Sequence, residues 1–353
     1  MFEEARRSVV AIDAAAAAAA AELSDRLTKP RGALGRLETA GAQLAGIAGV
    51  SPPPVPEPAV VAVFAGDHGV LAEGVTPWPA EVTAQMVANF CAGGAAINVL
   101  ARHSGAEVVV VDVGVATDLE PAPGLRIEKV RAGTGNIAVE PAMTDDECAA
   151  ALDVGASVAA SLVAERSARC LITGDMGIGN TTPSAALIAA FTGRSPMEVT
   201  GRGTGIDDVM LARKIGVIEQ ALARVLAGSA ILPPERLLAE LGGLEIAALA
   251  GFIVGGAAAR VPVIVDGVIA GAALLAAAAM VPDVVGYCVA GHQSTEPGAA
   301  AVLAHLGIEP LLDLQLRLGE GTGACLALPV LQASAKVLRE MATFDSAGVT
   351  EKQ

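Results

Sequence analysis

The sequence has few aromatic residues and no excess of positive charge. Aromatic residues make up 2% of the 353 positions, with one Trp and one Tyr. The core must therefore consist of Ala, Val, Leu and Ile, as in parallel sheets covered by closely packed helices. The formal net charge of −15 argues against nucleic acid as a partner, because a surface that follows phosphates needs an excess of Lys and Arg. An anionic substrate would need a local basic or dipolar pocket.

Several signatures of particular sites and compartments are also absent. No Gly-Lys-Ser/Thr occurs, which excludes a Walker loop. The longest apolar run, 267–282, is shorter than the roughly twenty residues of a membrane span, and the charged segment 3–7 replaces the apolar core of a secretory signal. The five cysteines form no CxxC pair; they are Cys91, Cys148, Cys170, Cys288 and Cys325. We therefore expect buried thiols in a cytoplasmic protein with no membrane partner.

Apolar segments alternate with polar or glycine-rich loops and helical patterns along most of the chain. The predicted strands are 59–64, 108–111, 170–173, 261–265, 284–289 and 312–316. This alternation predicts an α/β fold with a Rossmann-like, mostly parallel sheet and helices on both faces. The ligand crevice of such a sheet lies beyond the carboxyl ends of its strands. The polar residues expected there are Asp67, His68, Asp112, Asp175, Asp266, His292 and Glu320.

The segment 169–183 combines a buried strand, a glycine-rich turn and the start of a helix. Its glycines let a ligand approach the backbone closely, and Thr182 is predicted to cap a helix whose first residue is Pro183. Free N–H groups at such a helix start would bind a phosphate. An ordinary tight connection between strand and helix has the same pattern, so the motif alone leaves both interpretations open.

Ordered blocks along the whole chain resemble those of one family. They are 27–35 (LTKPRGALG), 67–70 (DHGV), 81–87 (EVTAQMV), 93–98 (GGAAIN), 177–182 (GIGNTT), 203–205 (GTG), 292–294 (HQS) and 317–321 (RLGEG). These blocks resemble the nicotinate-nucleotide:dimethylbenzimidazole phosphoribosyltransferases, which make the lower-ligand nucleotide of cobalamin. The resemblance implies that nicotinate mononucleotide and 5,6-dimethylbenzimidazole are the substrates. The products would be α-ribazole 5′-phosphate and nicotinate, and no cofactor is implied.

The resemblance also implies a domain organisation and an assembly. A small helical domain, formed by residues 1–50 and 331–353, would join a large α/β catalytic domain of residues 51–330, and two copies would form a homodimer. The Ala-rich run 14–21 and the helical pattern at 333–341 fit the small domain.

Two carboxylates are the candidate catalytic residues. The resemblance assigns Glu320 as the base that removes the benzimidazole proton while the other nitrogen attacks ribose C1′, and an apolar pocket would raise its proton affinity. Attack opposite the leaving nicotinate would invert C1′ and give the α linkage. Asp175 stands where the family usually has Glu, and would orient the ribose or balance charge at C1′. A solvated loop Glu and a turn-capping Asp are the alternatives.

The resemblance implies a further set of substrate-binding residues. Lys214 would be a point charge near the phosphate, although a lysine on a solvated helix face fits the sequence equally well. Gln85 and Leu318 would line the benzimidazole pocket, with ordinary packing as the alternative, and Ser294 would lie near the nucleotide. The phosphate-holding segments would be formed by Gly177, Gly179, Asn180, Thr181, Thr182, Gly203 and Gly205.

The residues alone leave two other functions open. A dinucleotide-dependent oxidoreductase predicts Gly-x-Gly-x-x-Gly after the first strand, whereas the glycine loop here lies in the middle of the chain. A non-catalytic protein that binds a phosphorylated nucleoside would tolerate the loss of Glu320. Asp67, His68 and His292 suggest a metal, but no HxH or HExxH spacing supports one. Hydrogen-bonded histidines are therefore favoured.

Overall fold

The middle of the chain forms a six-stranded parallel sheet in the computed structural model, which describes residues 1–227 and 232–350. The strands are β1 (Ala59–Gly66), β2 (Ala106–Gly114), β3 (Leu125–Ile127), β4 (Cys170–Met176), β5 (Val263–Val265) and β6 (Cys288–Ala290). Their order is β3-β2-β1-β4-β5-β6, and every paired strand is parallel to its neighbour. The order therefore reverses between β1 and β4, and ligands bind at such a reversal in open α/β sheets.

Helices cover both faces of this sheet. They are α1 (Phe2–Ser8), α2 (Ala14–Arg26), α3 (Arg36–Ala48), α4 (Glu81–Cys91), α5 (Ala96–Ser104), α6 (Asp145–Glu165), α7 (Thr181–Thr192), α8 (Pro196–Val199), α9 (Asp208–Leu226), α10 (Pro234–Leu241), α11 (Leu244–Ala258), α12 (Val268–Met280), α13 (Pro297–Leu306), α14 (Thr322–Glu340) and α15 (Phe344–Ala347). Short 3₁₀ helices span Gly69–Glu73 and Pro282–Tyr287.

The central strand β1 explains why the chain needs so many small apolar residues. All eight of its residues are buried, and alternate side chains point to opposite faces of the sheet. Val60 and Phe64 belong to the core shared with α6 and α11, whereas Val61 and Val63 belong to the core shared with α5 and α14. Burial on both faces selects a continuous apolar run rather than an alternating one.

The α/β fold with a mostly parallel sheet is confirmed, but two predicted strands are wrong. Residues 284–287 lie in a 3₁₀ helix, and only Cys288–Ala290 forms β6. Segment 312–316 contains no strand; Leu312 alone forms an isolated bridge, to His292. The exposed Gln315 has a φ of 57°, which is incompatible with extended backbone. The edge strand β3 was not predicted, because its three residues include Arg126, form no apolar run and are not fully buried.

The helix after the glycine-rich turn begins earlier than the sequence predicts. Its first residue is Thr181 and its N-cap is Asn180, so the assignment of Thr182 as cap and Pro183 as first residue is wrong. Thr182 lies in the first turn, and its N–H donates to the carbonyl of Gly179 at 3.0 Å. Pro183 still lies within the first turn, where a missing N–H leaves no intrahelical bond unmade.

Parts of the two terminal segments form a small hydrophobic cluster separate from the main core. Ala20, Leu27, Ala45 and Leu338 pack together where α2, α3 and the end of α14 meet. Helix α14 continues without interruption across the expected boundary at residue 331. The two-domain division stays a prediction, and its last three residues, 351–353, lie outside the described part of the chain.

Two helical stretches are long and apolar enough to cross a membrane by length and composition, Glu81–Ser104 and Asp145–Glu165. The first contains α4, α5 and the turn between them, and the second is α6. Core helices of soluble proteins meet the same two criteria. Since α6 packs along α11 against the sheet, its apolar composition has a structural cause within this fold.

Candidate active site

A cavity of about 400 Å³ lies beyond the carboxyl ends of β4, β5 and β6. This volume is typical of a small-molecule site. The predicted site residues that line it are Asp175, Gly177, Gly179, Asn180, Thr181, Gly203, Lys214, Ser294, Leu318 and Glu320. The structure therefore brings together residues that are up to 145 positions apart in the sequence, since Glu320 follows Asp175 by that interval.

Three predicted site residues are not among those that line the cavity. Gln85 is exposed on α4, although its neighbour Met86 faces the cavity. Thr182 is buried behind the glycine turn. Gly205 is exposed, and its φ of 105° places it in a backbone region that favours glycine.

Glu320 occupies a strained turn immediately before α14. Gly319, Glu320 and Gly321 have φ values of 83°, 63° and 91°, and a non-glycine residue in this region costs about 1–3 kcal/mol. The Oε2 atom of Glu320 accepts a hydrogen bond of 3.2 Å from the N–H of Ile97, in the first turn of α5. A strained residue held this tightly in a cavity wall is typical of a functional site.

The turn around Glu320 rests directly on the strand that carries Asp175. A Cβ atom at Gly174 would lie 2.6 Å from the carbonyl oxygen of Glu320, so only glycine leaves room for the turn at this position of β4. A Cβ atom at Gly319 would lie 3.2 Å from Oδ2 of Asp175. Gly174 and Gly319 thus allow the two candidate catalytic residues to approach each other.

Both candidate catalytic carboxyl groups are buried, which favours their neutral forms. Burial raises the pKa of Glu320, and the nearby Asp266 adds to this rise, while the N–H of Ile97 opposes it. Burial also raises the pKa of Asp175 well above its ordinary value, with further contributions from Asp266 and Glu245. The only hydrogen bond to the Asp175 side chain within the described residues comes from Asn180 Nδ2, at 3.0 Å.

The two candidate histidines each contact a carboxylate. His68 Nε2 lies 2.9 Å from Glu245 Oε1, and both side chains are buried. His292 lines the cavity, with its Nε2 atom 3.4 Å from Oδ1 of Asp266. Over residues 1–227 and 232–350, no group of three or more His, Cys, Asp or Glu side chains is arranged to hold a metal ion. The described geometry fits the hydrogen-bonded interpretation for His68, whereas His292 contacts Asp266 only at ion-pair distance.

The remaining polar residues at the strand ends lie outside the cavity lining. Asp67 accepts a hydrogen bond of 2.8 Å from the N–H of Ala116, and Asp112 accepts one of 2.9 Å from the N–H of Val115. Each carboxylate thus secures the loop that follows its strand or the neighbouring strand. Of the seven strand-end polar residues, Asp175, His292 and Glu320 line the cavity, whereas Asp67, His68, Asp112 and Asp266 do not.

Lys214 lies inside the protein rather than on a solvated helix face. The residue is 2% exposed, and its Nζ atom donates to Oγ1 of Thr181 at 2.7 Å. Burial lowers the pKa of Lys214 to about 8, although the carboxylate of Glu296 opposes this effect. A buried ammonium group beside the first turn of α7 is suited to hold an anion.

Sequence reasoning missed three charged residues around Lys214. Arg317 donates from Nη1 to the carbonyl oxygen of Gly203 at 2.7 Å, and Arg202 lines the same part of the cavity. Glu296 accepts a hydrogen bond of 2.8 Å from the N–H of Gly203. Arg202 adjoins Gly203, and Arg317 begins the block that contains Glu320, so proximity to those motifs was the available signal.

The opposite wall of the cavity is apolar. Trp78, Val82 and Met86 line it from the segment that contains α4, and Ile178 and Leu318 line it from the glycine turn and the Glu320 turn. Trp78 is 50% exposed and Leu318 is 58% exposed. Large apolar side chains that remain this exposed at a cavity mouth are typical of a ligand-binding groove.

Comparisons with known proteins agree with the resemblance seen in the motifs. The sequence model of a family described as phosphoribosyltransferase matches residues 9–349. The nicotinate-nucleotide–dimethylbenzimidazole phosphoribosyltransferase of Salinispora tropica is 56% identical, with all of both chains covered. The enzyme of the same name from Chloroflexus aurantiacus is 55% identical over 97% of this chain and 96% of its own.

A solved structure extends this agreement to the fold. The crystal structure of the nicotinate-nucleotide-dimethylbenzimidazole phosphoribosyltransferase from Thermus thermophilus has a TM-score of 0.91 and 46% sequence identity, covering 97% of this chain and 100% of that chain. Family, relatives and fold point to the same group of proteins. The chain therefore belongs to the phosphoribosyltransferase family that these enzymes represent.

Proposed function

We propose that this protein transfers the phosphoribosyl group of nicotinate mononucleotide to 5,6-dimethylbenzimidazole, releasing nicotinate and forming α-ribazole 5′-phosphate. The observation that carries the proposal is the division of one cavity into a basic end, an acidic centre and an apolar wall. These three parts suit the phosphate, the ribose C1′ and the aromatic base of the two substrates. The activity named for the relatives is the one that this arrangement supports.

Glu320 is the proposed general base. Its Oε2 atom is held by the N–H of Ile97, which leaves Oε1 to accept the benzimidazole proton as the other ring nitrogen attacks C1′. Burial raises the pKa of Glu320, and a higher proton affinity makes a carboxylate a better base near neutral pH. Nicotinate leaves from the face opposite the attack, so the configuration at C1′ inverts.

Asp175 is proposed to orient the ribose as a neutral hydrogen-bonding group. Its pKa lies well above the ordinary value because of burial and of Asp266 and Glu245. A neutral acid contributes little to balancing positive charge at C1′, which was the other role expected from the sequence. Hydrogen bonding to a hydroxyl group remains available to it in either protonation state.

The phosphate is proposed to bind between the start of α7 and Lys214. Gly177, Gly179, Asn180 and Thr181 surround this end of the cavity, with Gly203 and Ser294 on the other side. Lys214, Arg202 and Arg317 supply positive charge. The N–H of Thr182 is already bonded within the turn, and Gly205 does not line the cavity. We therefore propose that these two residues shape their loops and do not contact the phosphate.

The base is proposed to pack between the segment around Trp78 and the turn that carries Leu318. Val82 and Met86 complete this wall from α4. In the described geometry Gln85 does not line the cavity, so the proposal assigns contact with the base to Met86 in its place.

Cellular location and assembly belong to the same proposal. We expect the enzyme to act in the cytoplasm as a homodimer, on small molecules rather than nucleic acids or membranes. Its net charge of −15 supports the absence of nucleic acid partners. The free cysteines among the described residues support a reducing compartment. Sedimentation of the purified protein would measure the assembly.

The proposed activity is tested by incubating the purified protein with both substrates and separating the products by chromatography. We expect nicotinate and α-ribazole 5′-phosphate to appear in equal amounts, and no nicotinate when the base is omitted. Tight binding of nicotinate mononucleotide without product would instead support a binding protein. Release of nicotinate without the base would indicate a hydrolase.

A further inference from the structure

A buried aspartate outside the proposed chemistry connects β5 to the turn that carries Glu320. Asp266 follows the last residue of β5 and is 5% exposed. Its Oδ2 atom accepts a hydrogen bond of 3.2 Å from the N–H of Gly321, and its Oδ1 atom accepts one of 2.9 Å from the N–H of Ala324. One carboxylate therefore holds two backbone groups on either side of the start of α14.

These contacts supply what the start of α14 lacks. Its N-cap residue is Gly321, which has no side chain, and no side-chain cap is formed there. The first N–H groups of a helix have no intrahelical partner and need an acceptor. Asp266 provides that acceptor from a neighbouring strand, and its negative charge lies at the favourable end of the helix dipole.

Asp266 is itself fixed to the neighbouring strand β4. Its backbone N–H donates to Oγ1 of Thr173 at 3.0 Å, and that hydroxyl donates to the carbonyl oxygen of Ile264 at 3.3 Å. Thr173 immediately precedes Gly174, on which the carbonyl group of Glu320 rests. The Glu320 turn therefore packs against β4 at Gly174, and Asp266 holds its carboxyl-terminal side through the hydrogen bonds to Gly321 and Ala324.

We infer that Asp266 is a positioning residue that holds Glu320 in its left-handed conformation and so aims its carboxylate at the reacting base. This inference rests on the proposed function, because it gives Asp266 a purpose only if Glu320 is the base. A purely structural role would secure the fold but would not be transmitted to the ionisation of Glu320.

The charges around Glu320 give the inference a measurable signature. Asp266 raises the pKa of Glu320, in addition to burial, and raises that of Asp175 on β4. His292 faces Asp266 from the loop after β6, and the N–H of Ile97 on α5 faces Glu320 and opposes the rise. Removing the charge of Asp266 should therefore lower the pKa of Glu320 towards its ordinary value.

The test substitutes Asp266→Asn and measures nicotinate release between pH 5 and 9. Asparagine keeps the size and one acceptor but places an amide NH₂ against one of the two backbone N–H groups. We expect kcat to fall roughly ten- to hundredfold, as for a small misplacement of a reacting group. The KM for nicotinate mononucleotide should stay within about threefold, and the acid limb of the kcat profile should move to lower pH.

Asp112→Asn is the matched control, because Asp112 is also a buried aspartate that accepts a backbone N–H after a strand but does not line the cavity or face Glu320. Asp112→Asn should lower the stability of the fold without moving the acid limb of the kcat–pH profile. Asp266→Asn combined with Glu320→Gln should show no further loss beyond Glu320→Gln alone, because two residues that act through one group are not additive. Full additivity in this double-mutant cycle would overturn the inference.

A second variant and a crystal structure test the inference if Asp266→Asn is unstable or its kinetics are ambiguous. If Asp266→Asn does not fold, Thr173→Val provides the second test, because it removes the hydroxyl that holds the backbone of Asp266 but keeps the Asp266 charge. This variant should lower kcat by a smaller factor and leave the acid limb in place, and an unchanged kcat would overturn the inference. A crystal structure of Asp266→Asn that leaves Glu320 unmoved, together with an unshifted acid limb, would refute the positioning role. An inactive wild-type enzyme would instead refute the proposed function, so the two failures are distinguishable.

Discussion

The acidic centre and the basic end of the cavity are both buried, but burial shifts the pKa values of their groups in opposite directions. At the acidic centre, burial raises the pKa of Asp175 and of Glu320, and the charge of Asp266 raises both further. At the basic end, burial lowers the pKa of Lys214 to about 8, and the opposite charge of Glu296 limits this decrease. The negative charge of Asp266 thus adds to the effect of burial on the pKa of the two carboxyl groups, whereas the negative charge of Glu296 opposes the effect of burial on the pKa of Lys214.

This difference indicates what each end is built to do. A general base must take up a proton during the reaction, so crowding carboxylates around Glu320 makes it more basic. A phosphate-binding lysine must stay charged, so Glu296 compensates for the water that Lys214 has lost. Substitutions at the acidic centre should therefore change turnover, and substitutions at the basic end should change the affinity for the nucleotide.

The largest effect is expected for Glu320→Gln. The amide keeps the shape of the side chain but cannot accept the benzimidazole proton, so turnover should fall on the order of a hundred- to ten-thousandfold. Calorimetric affinity for nicotinate mononucleotide should change little, because the phosphate binds at the other end. Near-normal nicotinate release by this variant would contradict the assignment of Glu320 as the base.

Lys214→Ala should mainly affect affinity. Loss of a buried charge-assisted hydrogen bond weakens binding by about 1.5 to 3 kcal/mol, which corresponds to a roughly ten- to hundredfold higher Kd for nicotinate mononucleotide. Binding of dimethylbenzimidazole, which has no phosphate, is the internal control and should change far less. Unchanged nucleotide affinity in a calorimetric titration would place the phosphate elsewhere.

The pH dependence of nucleotide binding should come next in size. The pKa of Lys214 is about 8, so the ammonium is mostly charged at pH 7 and mostly neutral at pH 9. Affinity for nicotinate mononucleotide should therefore fall as pH rises, by about tenfold between these values. The arginine in Lys214→Arg stays charged over this range. If the affinity of that variant falls between pH 7 and 9 as in the wild type, a group other than Lys214 causes the pH dependence.

The smallest effect is expected for Asp175→Asn. Burial raises the pKa of Asp175 well above its ordinary value and so favours the neutral acid. The amide of Asn resembles that neutral form, so kcat should stay within about threefold of wild type. Asp175→Ala, which also removes the acceptor for Asn180, should be clearly worse. A loss in Asp175→Asn as large as in Asp175→Ala would indicate that the negative charge is needed.

The parts of the fold that the sequence predicts are those in which local pattern and tertiary environment agree. Strands β1, β2 and β4 are long apolar runs buried in the sheet, so composition alone identifies them. Segment 312–316 alternates apolar and polar residues as a strand would, but Leu312 forms only an isolated bridge to His292 and Gln315 adopts a positive φ. Its conformation depends on tertiary contacts with the loop after β6, which the periodicity of the sequence does not show.

The same distinction applies to the candidate site. Glu320 and the glycine turn were predicted as site residues because the blocks 317–321 and 177–182 resemble those of the family, and their glycines allow close approach of a ligand to the backbone. For Arg202 and Arg317 the sequence offered only their proximity to the Gly203 and Glu320 motifs, and for Glu296 it offered no signal, because the fold alone places its side chain beside the N–H of Gly203. The start of α7 was predicted incorrectly for a related reason. Thr182 and Pro183 fit the rule for a cap and a first helical residue, but the helix begins at Thr181, with Asn180 as its N-cap.

The position of Trp78 gives this enzyme an intrinsic optical reporter. It is the single tryptophan of the chain, and it stands half exposed at the cavity mouth, beside the wall proposed to receive the base. Indole emission depends on contact with water, so a ligand that covers this wall should change the fluorescence of the whole protein through one side chain. Occupancy of the base site can thus be followed in real time, without a label and separately from turnover.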